Sequence, residues 1–482
     1  MRTSITLLAV LLFLSGAAAA QVKTPVIPSD AAARPRTPEQ QAILDASTAE
    51  LAREMHLLGI KELRPPRNAV HPGRPDFANY DEAKANPWPD LPPLVVMKDG
   101  AKVTDLAQWK NRRAEIKALF DENVYGKYPA HIPGVTWKVE SVTTKPVDGV
   151  PVIVKHIVGT VDSSADPAIA VEIPADVVTP AATKGRKVPV IIGGGALSPR
   201  FSLNGPDPIL HISGSEMCIM LGPQTETSSK QLLDHGWGFV TVDVNAVQAD
   251  NAAGLTKGII GLVNRGQPRK LDDWGVLRAW AWANSRVLDY LQTDVDVNGK
   301  EVGIMGHSRG GKAALVAMVD DPRFAIGFIS SSGAGGANLY RRNYGEALEN
   351  VAAPNEFHWM AGNFLKFAAV GATPNDMPVD SHEFIALAAP RPLFIGGGGY
   401  VDQPACAIPG DAWQDARGMF MAAAAASPAW AFYDRKGLQT TEFPKMETFL
   451  DKGDIAFRQH RYGHTPTPNW SYFIAFASRY LK

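Results

Sequence analysis

The chain predicts an α/β fold: a three-layer sandwich with a mostly parallel sheet whose first strands are antiparallel. Three observations predict it. Strand-like runs follow one another directly over residues 136–192, which reads as an antiparallel start. From Trp237 onward, strand-like runs alternate with helix-length segments, the pattern that lays helices on both faces of a parallel sheet. One of those later runs breaks into Gly306-His307-Ser308-Arg309-Gly310 and at once becomes helix-forming.

The elements follow in order. Residues 1–20 carry one arginine near the start, a short apolar core at 7–14 and then Gly16-Ala17-Ala18-Ala19-Ala20. This reads as a cleaved secretory signal with Gln21 as the expected first residue of a secreted or periplasmic protein. No other apolar run approaches the ~20 residues needed to cross a bilayer. Residues 21–98 form a proline-rich extension with one helix expected over 38–58, where Leu44, Leu51 and Met55 fall on a helical period. The prolines of 65–93 read as an extended wrap along a larger body or a linker.

The α/β domain is placed at 99–482. A helix is expected over 104–124, with Thr104 as N-cap and Leu106, Trp109, Ile116 and Phe120 along one face. Strands are expected at 136–144, 152–161, 168–173 and 188–192, the last entering Gly193-Gly194-Gly195. A strand at 237–244 and a capped helix at 272–292 precede strands at 302–305, 325–330, 392–395 and 455–459.

The composition excludes several classes. With 45% hydrophobic and 20% charged residues, a formal net charge of −1 and no block of like charge, nothing points to nucleic-acid or membrane partners. Two cysteines, Cys218 and Cys406, do not make a disulfide scaffold, and sequence leaves open whether they pair.

The chemistry is carried by Gly306-His307-Ser308-Arg309-Gly310. In a G-x-S-x-G elbow, a serine sits on a tight strand-to-helix turn whose glycines let the backbone crowd together. Ser308 then projects above a helix N-terminus, where partial positive charge favours an oxyanion. The ordinary reading is a glycine-rich turn; the strand before and the helix after favour a nucleophile. A base should follow the last strand, where the chain reads His460-Arg461-Tyr462-Gly463-His464. We assign it to His464, which the turn at Gly463 could deliver, with His460 as the competitor. The acid should follow the penultimate strand, whose loop offers Asp402, Asp411 and Asp415. Asp415 opens the helix expected at 416–426 and reads as its cap.

Beyond the elbow, these motifs resemble the glucuronoyl esterases of carbohydrate esterase family 15. The resemblance rests on Ser308-Arg309-x-x-Lys312, on 332–336 (SGAGG) and 341–346 (RRNYGE), and on Phe357-His358-Trp359. Further along it includes 378–382 (PVDSH), 389–392 (APRP) and Asp411-Ala412-Trp413-Gln414-Asp415. It covers the chain from about Trp109 to the end. It implies an α/β-hydrolase that cleaves the ester between 4-O-methylglucuronic acid on xylan and a lignin alcohol. A serine esterase of this kind is expected to use acyl-enzyme chemistry with no metal or cofactor, and a monomer is expected, although sequence leaves the oligomeric state open.

Residue by residue, Ser308 matches the nucleophile, His464 the base and Arg309 the arginine that assists the oxyanion. Lys312, Glu346, Trp359 and Trp413 match substrate-binding positions. An arginine next to the serine makes chemical sense as permanent charge where negative charge develops, while Lys312 and Glu346 could equally form a solvated salt bridge. One position departs from the pattern. Many members carry the acid as a glutamate where this chain has Ser331, so the acid must come from the later loop. Asp411 fits the Asp-x-Trp-x-Asp pattern, while Asp402 lies nearer the strand and 403–409 is an insertion. Two other readings stay open: an acetyl or other carboxylic-ester hydrolase, and a carbohydrate-binding relative without turnover.

Overall fold

Ten strands join in one mixed sheet. In chain order they are β1 (Val135–Val147), β2 (Val150–Val161), β3 (Glu172–Pro180), β4 (Val188–Gly193), β5 (Gly238–Val242), β6 (Val297–His307), β7 (Ile326–Ser330), β8 (Leu393–Gly398), β9 (Phe449–Leu450) and β10 (Ile455–His460). Across the sheet they run β1-β2-β3-β5-β4-β6-β7-β8-β10-β9. The pairs from β1 to β5 are antiparallel, those from β5 to β10 parallel, and β9 closes the far edge antiparallel to β10. The computed structural model describes residues 36–69, 72–193, 209–211, 218–220, 226–399 and 411–482. The signal segment, Gly194 and Gly195, Asp402 and the pairing of Cys218 with Cys406 lie outside what is described.

The parallel strands are buried on both faces, as parallel sheets require. Val190 and Ile192 of β4 enter one core while Ile191 enters the other, and Leu393 and Ile395 of β8 are divided from Phe394 in the same way. Among the helices that cover or flank the first face are α1 (Pro38–Leu58), α2 (Leu106–Asn123), α4 (Val276–Leu291), α5 (Arg309–Asp320) and α6 (Ala416–Ala426). The second face is covered by α3 (Ser228–Asp234) and α7 (Trp470–Ala477), through Leu232, Leu233, Trp470 and Phe473. None of the described helices is long and apolar enough to cross a membrane.

Three expectations on elements are corrected, and one short strand was not expected. The third strand is Glu172–Pro180, not 168–173. Two prolines and two acids disguise it, although Ile173, Ala175 and Val177 alternate inward as a half-buried antiparallel strand should. The N-cap of α2 is Asp105, whose carboxylate accepts from the Gln108 amide at 2.8 Å, not Thr104. Helix α4 begins only at Val276, after Gly275, with no side-chain cap. The aspartates before it serve otherwise: Asp272 pairs with Lys127 at 2.8 Å and Asp273 accepts from the Lys270 amide. The two-residue β9 gave no sequence signal.

The proline-rich segment packs against loops that line the site. Glu54 of α1 forms an ion pair with Arg269 at 2.8 Å, both side chains inaccessible, and Arg269 reaches the Met360 carbonyl. Arg64 pairs with Glu349 at 2.7 Å. The Asn79 side chain donates to the Asn343 carbonyl, and the Asn79 carbonyl accepts from Gly345.

Candidate active site

Strand β6 ends at His307 and α5 starts at Arg309, so Ser308 alone makes the turn. Its φ of 57° and ψ of −129° are unusual for a residue with a Cβ. The turn is this tight because β6 and α5 nearly touch: a Cβ on Gly306 would lie 1.9 Å from the Gly310 carbonyl oxygen. The Ser308 amide is tied to the Ser330 carbonyl of β7 at 2.9 Å, which locks the elbow to the sheet. No side-chain cap fills the N-terminus of α5; the Gly311 and Lys312 amides bond the Ser308 carbonyl, and those of Arg309 and Gly310 have no partner among the described residues.

The loops after β8 and β10 meet beside this turn. Asp411, buried, accepts from His464 Nδ1 at 2.6 Å through Oδ1. Its Oδ2 accepts the Gly398 amide at 2.5 Å and the Ser331 hydroxyl. The His464 ring lies 4.3 Å from that of His307, the residue before Ser308. Burial foremost, then the neighbouring His464 and His460, holds His307 well below the usual imidazole range. The competing histidine is engaged elsewhere. His460 donates from Nε2 to the Thr465 carbonyl at 2.8 Å and accepts the Tyr462 amide on Nδ1, so both nitrogens are spent on its own turn. Burial lowers its pKa to about 4, keeping it neutral.

Asp415 caps α6 from a left-handed conformation, accepting the Gly418 amide at 2.9 Å. It also takes a two-pronged contact from Arg342, at 2.6 and 3.0 Å, so its carboxylate is committed. Ser331 supplies no charge, but its hydroxyl braces the carboxylate that does.

A second cluster surrounds Lys312. Its ammonium meets the carbonyls of Ser332 and Ala334 at 2.8 and 2.5 Å and Glu346 Oε2 at 2.9 Å, which uses all three of its donors. Both side chains are buried, so this is not a solvated surface pair. The Glu346 amide donates to the Trp413 carbonyl at 2.8 Å, joining this cluster to the loop of Asp411. Gly333 must be glycine here: at φ 53°, a Cβ would sit 2.1 Å from Glu346 Oε2.

Trp359 lies under the cations, its ring 5.3 Å from Arg309 Cζ and 5.6 Å from Lys312 Nζ. Its indole N–H donates to Asp250 Oδ1 at 2.6 Å, and Arg309 Nη1 reaches Asp250 Oδ2 at 2.5 Å.

The structure therefore brings Ser308, His464 and Asp411 to one place and Arg309, Lys312, Glu346 and Trp359 beside them, with Trp413 linked through its backbone. Sequence reasoning missed two residues of this site. Asp250 lies in a loop far from any motif, and only the polar pair Gln248-Ala249-Asp250 after an apolar strand could have drawn attention to it. Glu356 is crowded by burial first and then by Glu346, which push its pKa up to about 8, so its carboxyl is neutral below that pH. Among the described residues no three His, Cys, Asp or Glu side chains are grouped to hold a metal ion.

Comparisons with known proteins agree on one family. A family model described as "Glucuronyl esterase, fungi" matches residues 226–417. A CE15 glucuronoyl esterase structure from Teredinibacter turnerae is 38% identical, with 90% of this chain and 99% of that one covered and a TM-score of 0.78. A glucuronoyl esterase structure from Solibacter usitatus is 32% identical, covering 83% of this chain and 99% of that one with a TM-score of 0.69. A curated carbohydrate esterase from an unknown prokaryote is 28% identical over 443 residues, 85% of this chain and 93% of that one.

Proposed function

Because the chain belongs to the glucuronoyl esterases of carbohydrate esterase family 15, we propose that it hydrolyses the ester joining (4-O-methyl)glucuronic acid of glucuronoxylan to an alcohol, as in lignin–carbohydrate links. The observation that carries this reading is the buried Asp411–His464 contact at 2.6 Å beside the Ser308 elbow.

Asp411 accepts a hydrogen bond from His464 Nδ1–H, which fixes the tautomer whose Nε2 lone pair is the base. As Ser308 Oγ attacks the ester carbon, His464 Nε2 accepts the hydroxyl proton. The carbonyl oxygen becomes an oxyanion facing the N-terminus of α5 and the Arg309 guanidinium. Collapse breaks the bond to the alcohol, which leaves with the proton from His464. Water then attacks the glucuronoyl-serine with His464 again as base, releasing the uronic acid and Ser308. Glu346, Trp359 and Trp413 line the sugar subsite in this reading. Lys312, with every donor already used, holds Glu346 in place.

The test is turnover of methyl glucuronate against a simple acetate ester. A site built around sugar hydroxyls should favour the uronate in kcat/KM on the order of 10²-fold or more. A preference for the acetate would overturn the uronate reading while leaving a serine esterase.

We also propose export, on the signal-like composition of residues 1–20. Amino-terminal sequencing of protein recovered outside the cytoplasm should read from Gln21, and a chain retained inside with Met1 intact would refute it.

A further inference from the structure

Arg309 is long and its side chain is 54% exposed, so something must aim it. The only carboxylate among the described residues that it touches is Asp250. We propose that Asp250 is a positioning residue that fixes Arg309 over the reacting carbonyl and offsets its charge so that the uronate product is released. The proposal rests on the esterase reading above and assigns to it a residue that lies in none of the motifs.

Asp250 is itself built in. Oδ2 holds Arg309 Nη1 at 2.5 Å, and Oδ1 accepts both the Trp359 indole N–H at 2.6 Å and His358 Nε2 at 3.0 Å. The His358 contact is a donation, because an ionised carboxylate only accepts. Burial opposes ionisation most, yet the His358 bond and the Arg309 charge together outweigh it and hold the carboxyl well below its usual range. The loop beneath is pinned as well. The Gln248 carbonyl accepts from the buried Trp280 indole at 2.8 Å, and the Gln248 side chain bridges Gly254 and Ile260. Arg309 is thus gripped at one nitrogen and laid with its guanidinium over Trp359, and among the described residues Nε and Nη2 have no hydrogen-bond partner.

The offset matters because charge changes along the reaction. The ester substrate is neutral at the acyl carbon, the transition state carries an oxyanion, and the product is a carboxylate. An unpaired arginine would grip the product as well as the transition state. A paired one acts as a directed donor with little net charge for the product to bind.

The experiment compares wild type, Asp250→Asn, Asp250→Glu, Arg309→Ala and Asp250→Asn with Arg309→Ala. It uses whichever of methyl glucuronate or a simple acetate ester the wild type turns over faster, so failure of the uronate reading leaves the pairing under test. Arg309→Ala should lower kcat by about 10²-fold or more with KM little changed. Asp250→Asn should lower kcat on the order of 10- to 10²-fold, as expected for a misplaced group, with KM within about twofold. It should also bind glucuronate more tightly, read as a lower inhibition constant or by calorimetry. In the Arg309→Ala background Asp250→Asn should cost nothing further, and Asp250→Glu should recover part of the rate. An Asp250→Asn variant with normal kcat and normal glucuronate affinity overturns the proposal. So does an equal loss in the Arg309→Ala background, which would make Asp250 a merely structural residue.

Discussion

Ser308→Ala should lose ester hydrolysis by about 10⁶-fold in kcat, the scale on which a nucleophile matters, leaving only the residual rate of the oxyanion site and substrate binding. The fold should survive. The Ser308 side chain makes no cap hydrogen bond, and the elbow is held by its amide on Ser330 and by the packing of Gly306 against Gly310. Far-UV circular dichroism and a thermal melt would establish that the inactive variant is folded. Ser308→Gly should be equally inactive but more stable than Ser308→Ala by about 1 kcal/mol, because alanine keeps the strain of a φ of 57° and glycine does not. Activity of either variant within tenfold of wild type would remove Ser308 from the chemistry and the acyl-enzyme with it.

How much of this was legible in the sequence depended on whether the signal was local. The elbow was, because a strand, two glycines, a serine and a helix are neighbours in the chain. Helix α1 was read to the residue, since its apolar period and flanking proline are local too. Strand β3 was misread because Pro174 and Pro180 mimic a break, and the pairing that admits them, with β2 on one side and β5 on the other, is a tertiary fact.

The site divides in the same way. Choosing His464 over His460 needed the turn at Gly463, which the sequence displays, but the reason His460 is unavailable is its pair of backbone contacts within that turn. Asp250 was invisible because its three donors, Arg309, His358 and Trp359, come from positions 59, 108 and 109 residues away. The buried state of Lys312 and Glu346 was equally hidden. A lysine one turn along a helix looks the same in sequence whether it faces water or three acceptors.

Asp411→Asn should lower kcat on the order of 10⁴-fold while leaving the protein folded, and the hydrogen bonds say why. Asp411 Oδ2 accepts from the Ser331 hydroxyl and from the Gly398 amide, a backbone donor that cannot turn away or accept. An asparagine must therefore keep its carbonyl oxygen on that side, which turns its NH₂ toward His464. Nδ1 then has to accept rather than donate, the ring proton moves to Nε2, and the nitrogen facing Ser308 no longer has a lone pair to take its proton. The tautomer is reversed although no atom has moved far. Asp415→Asn makes the contrast, since that carboxylate faces Arg342 and the first turn of α6 rather than an imidazole. It should lose stability by about 3 kcal/mol, as broken buried ion pairs do, and keep its kcat. Stopped-flow or steady-state rates together with denaturant melts on the two variants separate the outcomes. Should Asp411→Asn retain more than a tenth of wild-type kcat, the orienting carboxylate must be sought among residues 400–410, where Asp402 lies.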